Sequence, residues 1–197
     1  MTDKKRCVWV PADDALYAAY HDDEWGVPVY DSQHLFEMLL LEGAQAGLSW
    51  ITILKKRENY REAFEGFDAE KMVGYDSRKV AQLMKNEGIV RNRLKIDAAI
   101  GNAKAYLKLE KYLQTEESSF SDFLWSFVDG EPVINHWASW QDIPAKTVES
   151  SAMAKALQQR GFKFVGPTIC YAFMQAVGMV NDHEVGCQCH PDNESPK

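Results

Sequence analysis

Apolar positions recur along this chain at helical spacing almost from end to end. After Asp31-Ser32, whose side chains offer N-cap oxygens, Leu35, Met38, Leu39 and Glu42 fall three and four apart. One face of a predicted helix therefore carries apolar residues and ends in a carboxylate, with Gly43 and Gly47 marking its end. A second helix is expected from Ser49 or Trp50, turning Ile53, Leu54, Ala63 and Phe64 inward and Lys55, Lys56, Arg57 and Glu58 outward. Ser77 caps a short helix with Val80, Leu83 and Met84, which Gly88 closes. Ile96, Ala99, Ile100, Ala103 and Leu107 mark a longer one. Phe120 to Val128 reads as a compact aromatic helix, followed by a turn at Asp129-Gly130-Glu131-Pro132 and an irregular stretch from Asn135 to Pro144. The last third reads helix, hairpin, helix. Thr147 or Ser150 caps a helix through Arg160, and Gly161-Phe-Lys-Phe-Val-Gly166 turns. Pro167 then stands where the first turn tolerates a missing N–H, and the final helix runs to Gly178. No run of β-branched alternation is long enough to build a sheet. The expectation is an all-α fold over residues 1–197, one unit or two packed helical lobes.

Composition narrows the class. The longest apolar runs, such as Leu39 to Leu41, are far too short to cross a bilayer, so no membrane partner is expected. The start, Met1-Thr-Asp-Lys-Lys-Arg6, has no signal-peptide apolar stretch, which argues for a cytoplasmic location. In that reducing compartment four cysteines read as thiols or metal ligands rather than disulfides. A net charge of −7 argues against a nucleic-acid partner. Local placement weakens the argument, because bases cluster at Lys55-Lys56-Arg57, at Arg91, Arg93 and Lys95, and at Arg160 and Lys163.

Three groups of residues carry candidate chemistry. Cys7 and His21 near one end, and His183 and Cys187 near the other, are soft ligands that suit zinc, and a four-ligand site would staple the termini together. Cys189 and His190 compete as ligands on spacing alone, and the bland alternative is small buried cysteines with satisfied histidines. Tyr17, Tyr20, Trp25 and Trp50, with Glu42, are denser in aromatics and carboxylate than a core requires. They suit a pocket for a flat heteroaromatic ligand, the rings stacking and the carboxylate accepting from an exocyclic amine. The alternative is core tryptophans and a helix-terminal acid. The hairpin near 161–167 exposes N–H groups at Gly166 to Ile169 at the positive end of a helix dipole, a way to grip a DNA phosphate that Arg160 and Lys163 would supplement; it could equally be an ordinary turn.

Longer strings carry a resemblance. Cys7-Val-Trp9, Tyr17-Ala-Ala-Tyr20-His21-Asp-Asp-Glu-Trp25-Gly-Val-Pro28, Leu35-Phe-Glu-Met, Glu42-Gly-Ala-Gln-Ala-Gly-Leu-Ser-Trp50-Ile-Thr-Ile-Leu-Lys-Lys-Arg-Glu, and Gly161-Phe-Lys-Phe-Val-Gly-Pro-Thr-Ile-Cys-Tyr171 to Asn181-Asp-His183 resemble the bacterial 3-methyladenine DNA glycosylase I family over nearly the whole chain. The resemblance implies a helix-hairpin-helix glycosylase fold and hydrolysis of the N-glycosidic bond of a methylated purine in double-stranded DNA. It implies one structural zinc on Cys7, His21, His183 and Cys187. It makes Glu42 the base-recognition carboxylate, with possible catalytic weight, places Tyr20 and Trp50 nearest the base, and lines the pocket with Trp9, Tyr17 and Trp25. Gly47 and Leu48 would face the gap left in the duplex, with Arg160, Lys163, Gly166 and Thr168 on the DNA. Cys189 and His190 are left without a role.

Extruding the nucleotide into a pocket costs a few kcal/mol, and methylation makes the purine cationic and already a good leaving group. No residue is expected to repeat the aspartate found shortly after the hairpin in other branches, Asp182 being the only local candidate. No hairpin lysine is placed as a lyase nucleophile, so a monofunctional hydrolase, acting as a monomer, is expected. Two other readings compete. A non-catalytic DNA-binding module makes Glu42 dispensable; a nucleotide-binding protein makes Arg160 and Lys163 dispensable.

Overall fold

The computed structural model describes residues 5–193. The chain is mostly helical, with α1 (Ala15–Asp23), α2 (Ser32–Gln45), α3 (Trp50–Leu54), α4 (Arg57–Ala63), α5 (Ala69–Met72), α6 (Ser77–Leu83), α7 (Arg93–Thr115), α8 (Phe120–Trp125), α9 (Val148–Gln159) and α10 (Pro167–Ala176). One expectation is corrected: a sheet exists, though a minimal one. β1 (Val133–Ile134) pairs in parallel with β2 (Val180–Asn181), Val133 opposite Val180. A two-residue ladder needs no alternating pattern, only two extended segments brought together by the helices, so nothing in the sequence announces it.

α2 is the spine. Asp31 caps it, its carboxylate accepting from the His34 amide at 2.7 Å, and every residue from Leu35 to Ala44 is buried because α3, α7, α8 and α10 pack around it. Its C-terminal carbonyls are not left unpaired. Lys95 of α7 donates through Nζ to the carbonyls of Ala44 and Ala46, both at 2.7 Å, placing a cation at the negative end of the helix dipole. The helix does not stop at Gly43 as its sequence suggests. A Cβ there would meet Phe164 at 3.3 Å, so the glycine lets the hairpin between α9 and α10 lie directly on the helix.

The helix expected from Trp50 to Phe64 is two. The chain bends at Lys55-Lys56, so that Ile53 and Leu54 in α3 and Tyr60 and Ala63 in α4 all reach the core. The bend also turns Arg57 onto Glu24, a two-pronged ion pair tying α4 to the end of α1. Asp76 rather than Ser77 caps α6, accepting from the amides of Arg78 and Lys79 at 2.9 Å. Thr147 caps α9 in a capping box with Ser150.

α9 packs on α10, and α10 on α2. Between α9 and α10, Gly161 adopts φ +92° and the Phe162 amide returns to the Leu157 carbonyl at 3.1 Å, while Phe162 and Val165 bury their side chains. The buried Asn102 of α7 clamps this turn, accepting from the Lys163 N–H at 2.8 Å and donating to its carbonyl at 3.0 Å. After α10, Gly178 takes φ +69° beneath the loop at Val27-Pro28, where a Cβ would fall 2.3 Å from the Val27 carbonyl carbon. Among the described residues no helix is long and apolar enough to cross a membrane.

Candidate metal centre and aromatic pocket

One short helix serves two sites. Asp14 caps α1 by accepting from the Tyr17 amide at 3.0 Å, and the helix then presents Tyr17, Tyr20 and His21 at i, i+3 and i+4, on one side. His21 enters a buried cluster with Cys7, His183 and Cys187, whose ligand atoms all lie within 4.8 Å of one another. Cys187 Sγ is 3.4 Å from His21 Nε2 and 3.5 Å from His183 Nδ1, and Cys7 Sγ is 3.5 Å from His183 Nδ1. Tetrahedral zinc with ordinary Zn–S and Zn–N bonds sets its sulfur and nitrogen ligands about 3.5 Å apart, so the four atoms fit that ion.

The rear nitrogens decide the tautomers. His183 Nε2 lies 3.0 Å from the Trp25 carbonyl, which can only accept, so Nε2 carries the proton and Nδ1 turns a lone pair to the cluster. His21 Nδ1 donates to Asp22 at 2.9 Å, and Asp22 in turn accepts from Arg6 at 2.7 and 2.8 Å; the Arg6 guanidinium holds the Asp22 carboxyl down at about 2. The competing ligands are not among these four. His190 uses both ring nitrogens, donating to the Asn135 carbonyl and accepting from the Asp192 amide, while the Cys189 sulfur lies 3.9 Å from the other His21 nitrogen, Nδ1, where it forms a second group of possible ligands with His21 and Asp22. The three neighbouring thiols share one charge: hydrogen bonds from Cys189 and Cys7 push the Cys187 thiol far down, and the same bonds push the Cys7 and Cys189 thiols up.

The same elements wall a cavity of about 290 Å³ bounded by Trp9, Tyr17, Tyr20, Trp25, Glu42, Gln45, Trp50, Trp140, Ala172 and Gln175. All six residues expected in a pocket are brought together here. Its aromatic wall runs continuously from the cluster: Trp25 lies 4.7 Å from His183 between ring centroids, Trp9 lies 5.1 Å from Trp25 and 5.0 Å from Tyr17, and Tyr20 lies 5.5 Å from Trp50. At the base of the wall, the last full turn of α2 presents Glu42, 3% exposed. Its Oε2 and the indole nitrogens of Trp9 and Trp50 are buried with no hydrogen-bond partner among the described residues. Burial raises the Glu42 carboxyl to about 8, and it raises the Tyr20 hydroxyl well above its ordinary value as well. Buried polar atoms are nearly always paired in a folded protein, so three orphans around one cavity mark a ligand site.

Gln45, Trp140, Ala172 and Gln175 are pocket residues that the sequence reading missed. Asp182 is not at the pocket surface. It is fully buried and accepts from Asn135 and Trp137 on one oxygen, both at 2.7 Å, and from Tyr171 and Gln175 on the other, at 2.6 and 2.8 Å. Gly47, at φ +78°, turns the chain so that Leu48 stands 42% exposed between Gln45 and Trp50 of the cavity wall. Two of the basic clusters are engaged internally. Lys55 pairs with Asp14, Lys56 donates to the Glu87 carbonyl, Arg91 pairs with Glu87 and Arg93 with Asp97. Arg160 stacks over Phe123 at 4.6 Å and donates to the Ala156 carbonyl, whereas Lys163 and Thr168 are exposed and the α10 N-cap, Gly166, has no side chain to cap it.

Known proteins share this architecture. The model of the methyladenine glycosylase family matches residues 9–190. The DNA-3-methyladenine glycosylase 1 of Escherichia coli K12 is 55% identical over 190 residues, covering 96% of this chain and 99% of that protein. The DNA-3-methyladenine glycosylase of Haemophilus influenzae is 50% identical, over 93% and 97%. A crystal structure of a 3-methyladenine DNA glycosylase I superposes with a TM-score of 0.90 at 57% identity, covering 95% of this chain and all of that one. The matched region spans every residue of the cavity wall and three of the four clustered ligands, with Cys7 two residues outside it. The chain belongs to the methyladenine glycosylase family.

Proposed function

We propose that this protein is a base-excision repair enzyme that extrudes 3-methyladenine from alkylated double-stranded DNA and hydrolyses its N-glycosidic bond, without a lyase step. The observation that carries the reading is the unpartnered Glu42 oxygen in an aromatic cavity with two unpartnered indole N–H groups. A flat purine cation with an exocyclic amine suits this set: the rings face its charge, the carboxylate accepts from the amine, and its ring nitrogens are acceptors for indole N–H groups. Family membership makes the base 3-methyladenine, since the Escherichia coli and Haemophilus influenzae relatives carry that activity in their names.

Glu42 is held protonated near neutral pH by burial alone. An entering purine cation lowers its pKa, so the carboxylate forms where the positive charge arrives. Bond cleavage then leaves the C1′–N9 electron pair on the purine, neutralising it, and water adds to the cationic sugar carbon, releasing one proton to solvent as the C1′ hydroxyl forms. Because the cation departs readily, the enzyme needs recognition and support of oxocarbenium character more than strong acid catalysis. Asp182 is saturated by four donors and does not activate water. None of the described residues lining the cavity is a lysine, which supports hydrolysis without a Schiff base.

The helix-hairpin-helix of α9 and α10 would hold the DNA through the α10 N-terminus and Lys163. The Lys163 backbone N–H is taken by Asn102, so this residue contributes its side chain. Gly47 and Leu48 would face the gap left by the extruded nucleotide. Zinc on Cys7, His21, His183 and Cys187 would be structural: four protein ligands close its shell, and it would pin the arm bearing Trp9 and the helix bearing Tyr20 to the C-terminal segment. Release of free 3-methyladenine from alkylated duplex tests the reading. The wild type should release it and Glu42→Gln should release far less; DNA binding without release by the wild type would make the chain a binding module instead.

A further inference from the structure

One cavity residue comes from neither the first 50 residues nor α10. Trp140 lies on the short 3-10 turn Trp140–Asp142, in the long connection between β1 and α9. The pocket aromatics grade in depth. Tyr20 is 3% exposed, Trp25 7% and Trp50 9%, whereas Trp140 is 41% exposed, so it stands at the mouth. An exposed indole on an irregular segment would ordinarily be mobile, but this one is mounted at both ends of its approach. The Trp137 indole donates to Asp182 at 2.7 Å, and the Trp137 carbonyl accepts from the Val185 amide at 3.0 Å. The Trp140 amide donates to Glu184 Oε1 at 3.0 Å.

Glu184 does more than hold this turn. Its other oxygen, Oε2, accepts from the Val8 amide at 3.1 Å, next to Trp9. One carboxylate, adjacent in sequence to His183, therefore ties the turn bearing Trp140 to the N-terminal arm bearing Trp9. This is an expensive arrangement for mere loop anchoring, since either amide could have been satisfied by water at the surface.

We infer that Trp140 is a substrate-contacting residue that closes the mouth of the pocket against the extruded base, and that Glu184 is a positioning residue that fixes its turn to the arm bearing Trp9. The inference rests on the glycosylase reading. It assigns the deep residues, Glu42 and Trp50, to chemical recognition, and it assigns Trp140 to retention of the flat ring once it has entered. An aromatic face against one base strengthens binding by roughly ten-fold, the order of magnitude found for stacking on single aromatic side chains.

The test compares wild type, Trp140→Ala, Trp140→Phe and Glu184→Ala. Binding of free 3-methyladenine is measured by calorimetry, and release from alkylated duplex gives KM and kcat separately. Trp140→Ala should weaken free-base binding and raise KM, each on the order of ten-fold, with kcat and the melting temperature close to wild type. Trp140→Phe should restore most of the affinity, because a ring face rather than the indole N–H is what is required. Glu184→Ala should weaken binding in the same sense with its bound zinc retained. Free-base affinity and KM unchanged in Trp140→Ala, with wild-type release intact, overturn this inference and leave the glycosylase reading standing. Absence of release by the wild type overturns the glycosylase reading itself, and this inference with it.

Discussion

Replacing Glu42 by Gln should make the protein more stable while disabling it, by an amount that depends on pH in a calculable way. The carboxyl is buried with one oxygen unpartnered, and burial lifts its pKa from 4.5 to about 8. Between those values the unfolded chain ionises Glu42 and the folded protein does not, so stability is lost as pH rises through this window. One pKa unit corresponds to about 1.4 kcal/mol, so by pH 7 the native state has forgone about 3 kcal/mol, whereas at pH 5 the loss is below about 1 kcal/mol. Glutamine copies the shape of the protonated acid and carries no such dependence. For a chain of this size 1 kcal/mol moves the melting temperature by about 2–4 °C. Glu42→Gln should therefore melt roughly 6–12 °C above wild type at pH 7, with the gap closing toward pH 5. The assay is paired thermal unfolding of the two proteins across that range. Titration of groups outside the pocket affects both proteins alike and cancels in the difference. Equal melting temperatures at pH 7, or an advantage that does not shrink on acidification, would mean that the folded protein holds Glu42 as a compensated carboxylate, and the argument from an orphaned buried acid would fail.

Four other outcomes are expected. Cys7→Ser should lose its zinc and melt lower, both read on one preparation by metal analysis and calorimetry; unchanged zinc content would remove Cys7 from the site. Asp182→Asn leaves one acceptor oxygen for four donors and should cost about 2–5 kcal/mol in urea unfolding, with base release per folded molecule near wild type; full stability with lost release would make Asp182 catalytic after all. Gly178→Ala drives a Cβ into the Val27 backbone at a left-handed position and should cost more than about 4 kcal/mol, or prevent folding, as expression and urea titration would show. Lys163→Ala should weaken binding to damaged and undamaged duplex alike and reduce the salt slope by about one; an unaltered slope would take Lys163 off the phosphates.

Much of the molecule was legible before any coordinates. The spacing of Leu35, Met38, Leu39 and Glu42 located α2 and its terminal carboxylate, and the Gly161 to Pro167 string located the turn before α10. The residues of the Cys/His cluster and of the cavity wall could be singled out because Cys, His and Trp carry chemistry that few surroundings tolerate by chance. α1 was not foreseen. Its side chains at helical spacing, Tyr17, Tyr20 and His21, face a pocket and a buried Cys/His cluster rather than an apolar core, so the apolar period that betrays a helix is missing. Gly43 was misread as a terminator for the converse reason: a glycine inside a helix is explained only by what lies against it, here Phe164. The partners of the basic residues were hidden in the same way, since a lysine or arginine looks free until its partner, such as Glu24 for Arg57, is known.

What the sequence determined by itself is the set of local preferences and reactive groups: the helices with strong periods, their caps, and the residues able to bind a metal or a cationic ring. Which of Cys187, Cys189 and His190 turns inward, that Asp182 is consumed by four donors, and that Trp140 joins a cavity whose other walls lie some 90 or more positions earlier or some 30 later were decided by tertiary structure alone. The physical reason is that periodicity and capping act over a few residues, whereas hydrogen-bond saturation and a pocket's outline are properties of groups that meet only after distant helices have packed.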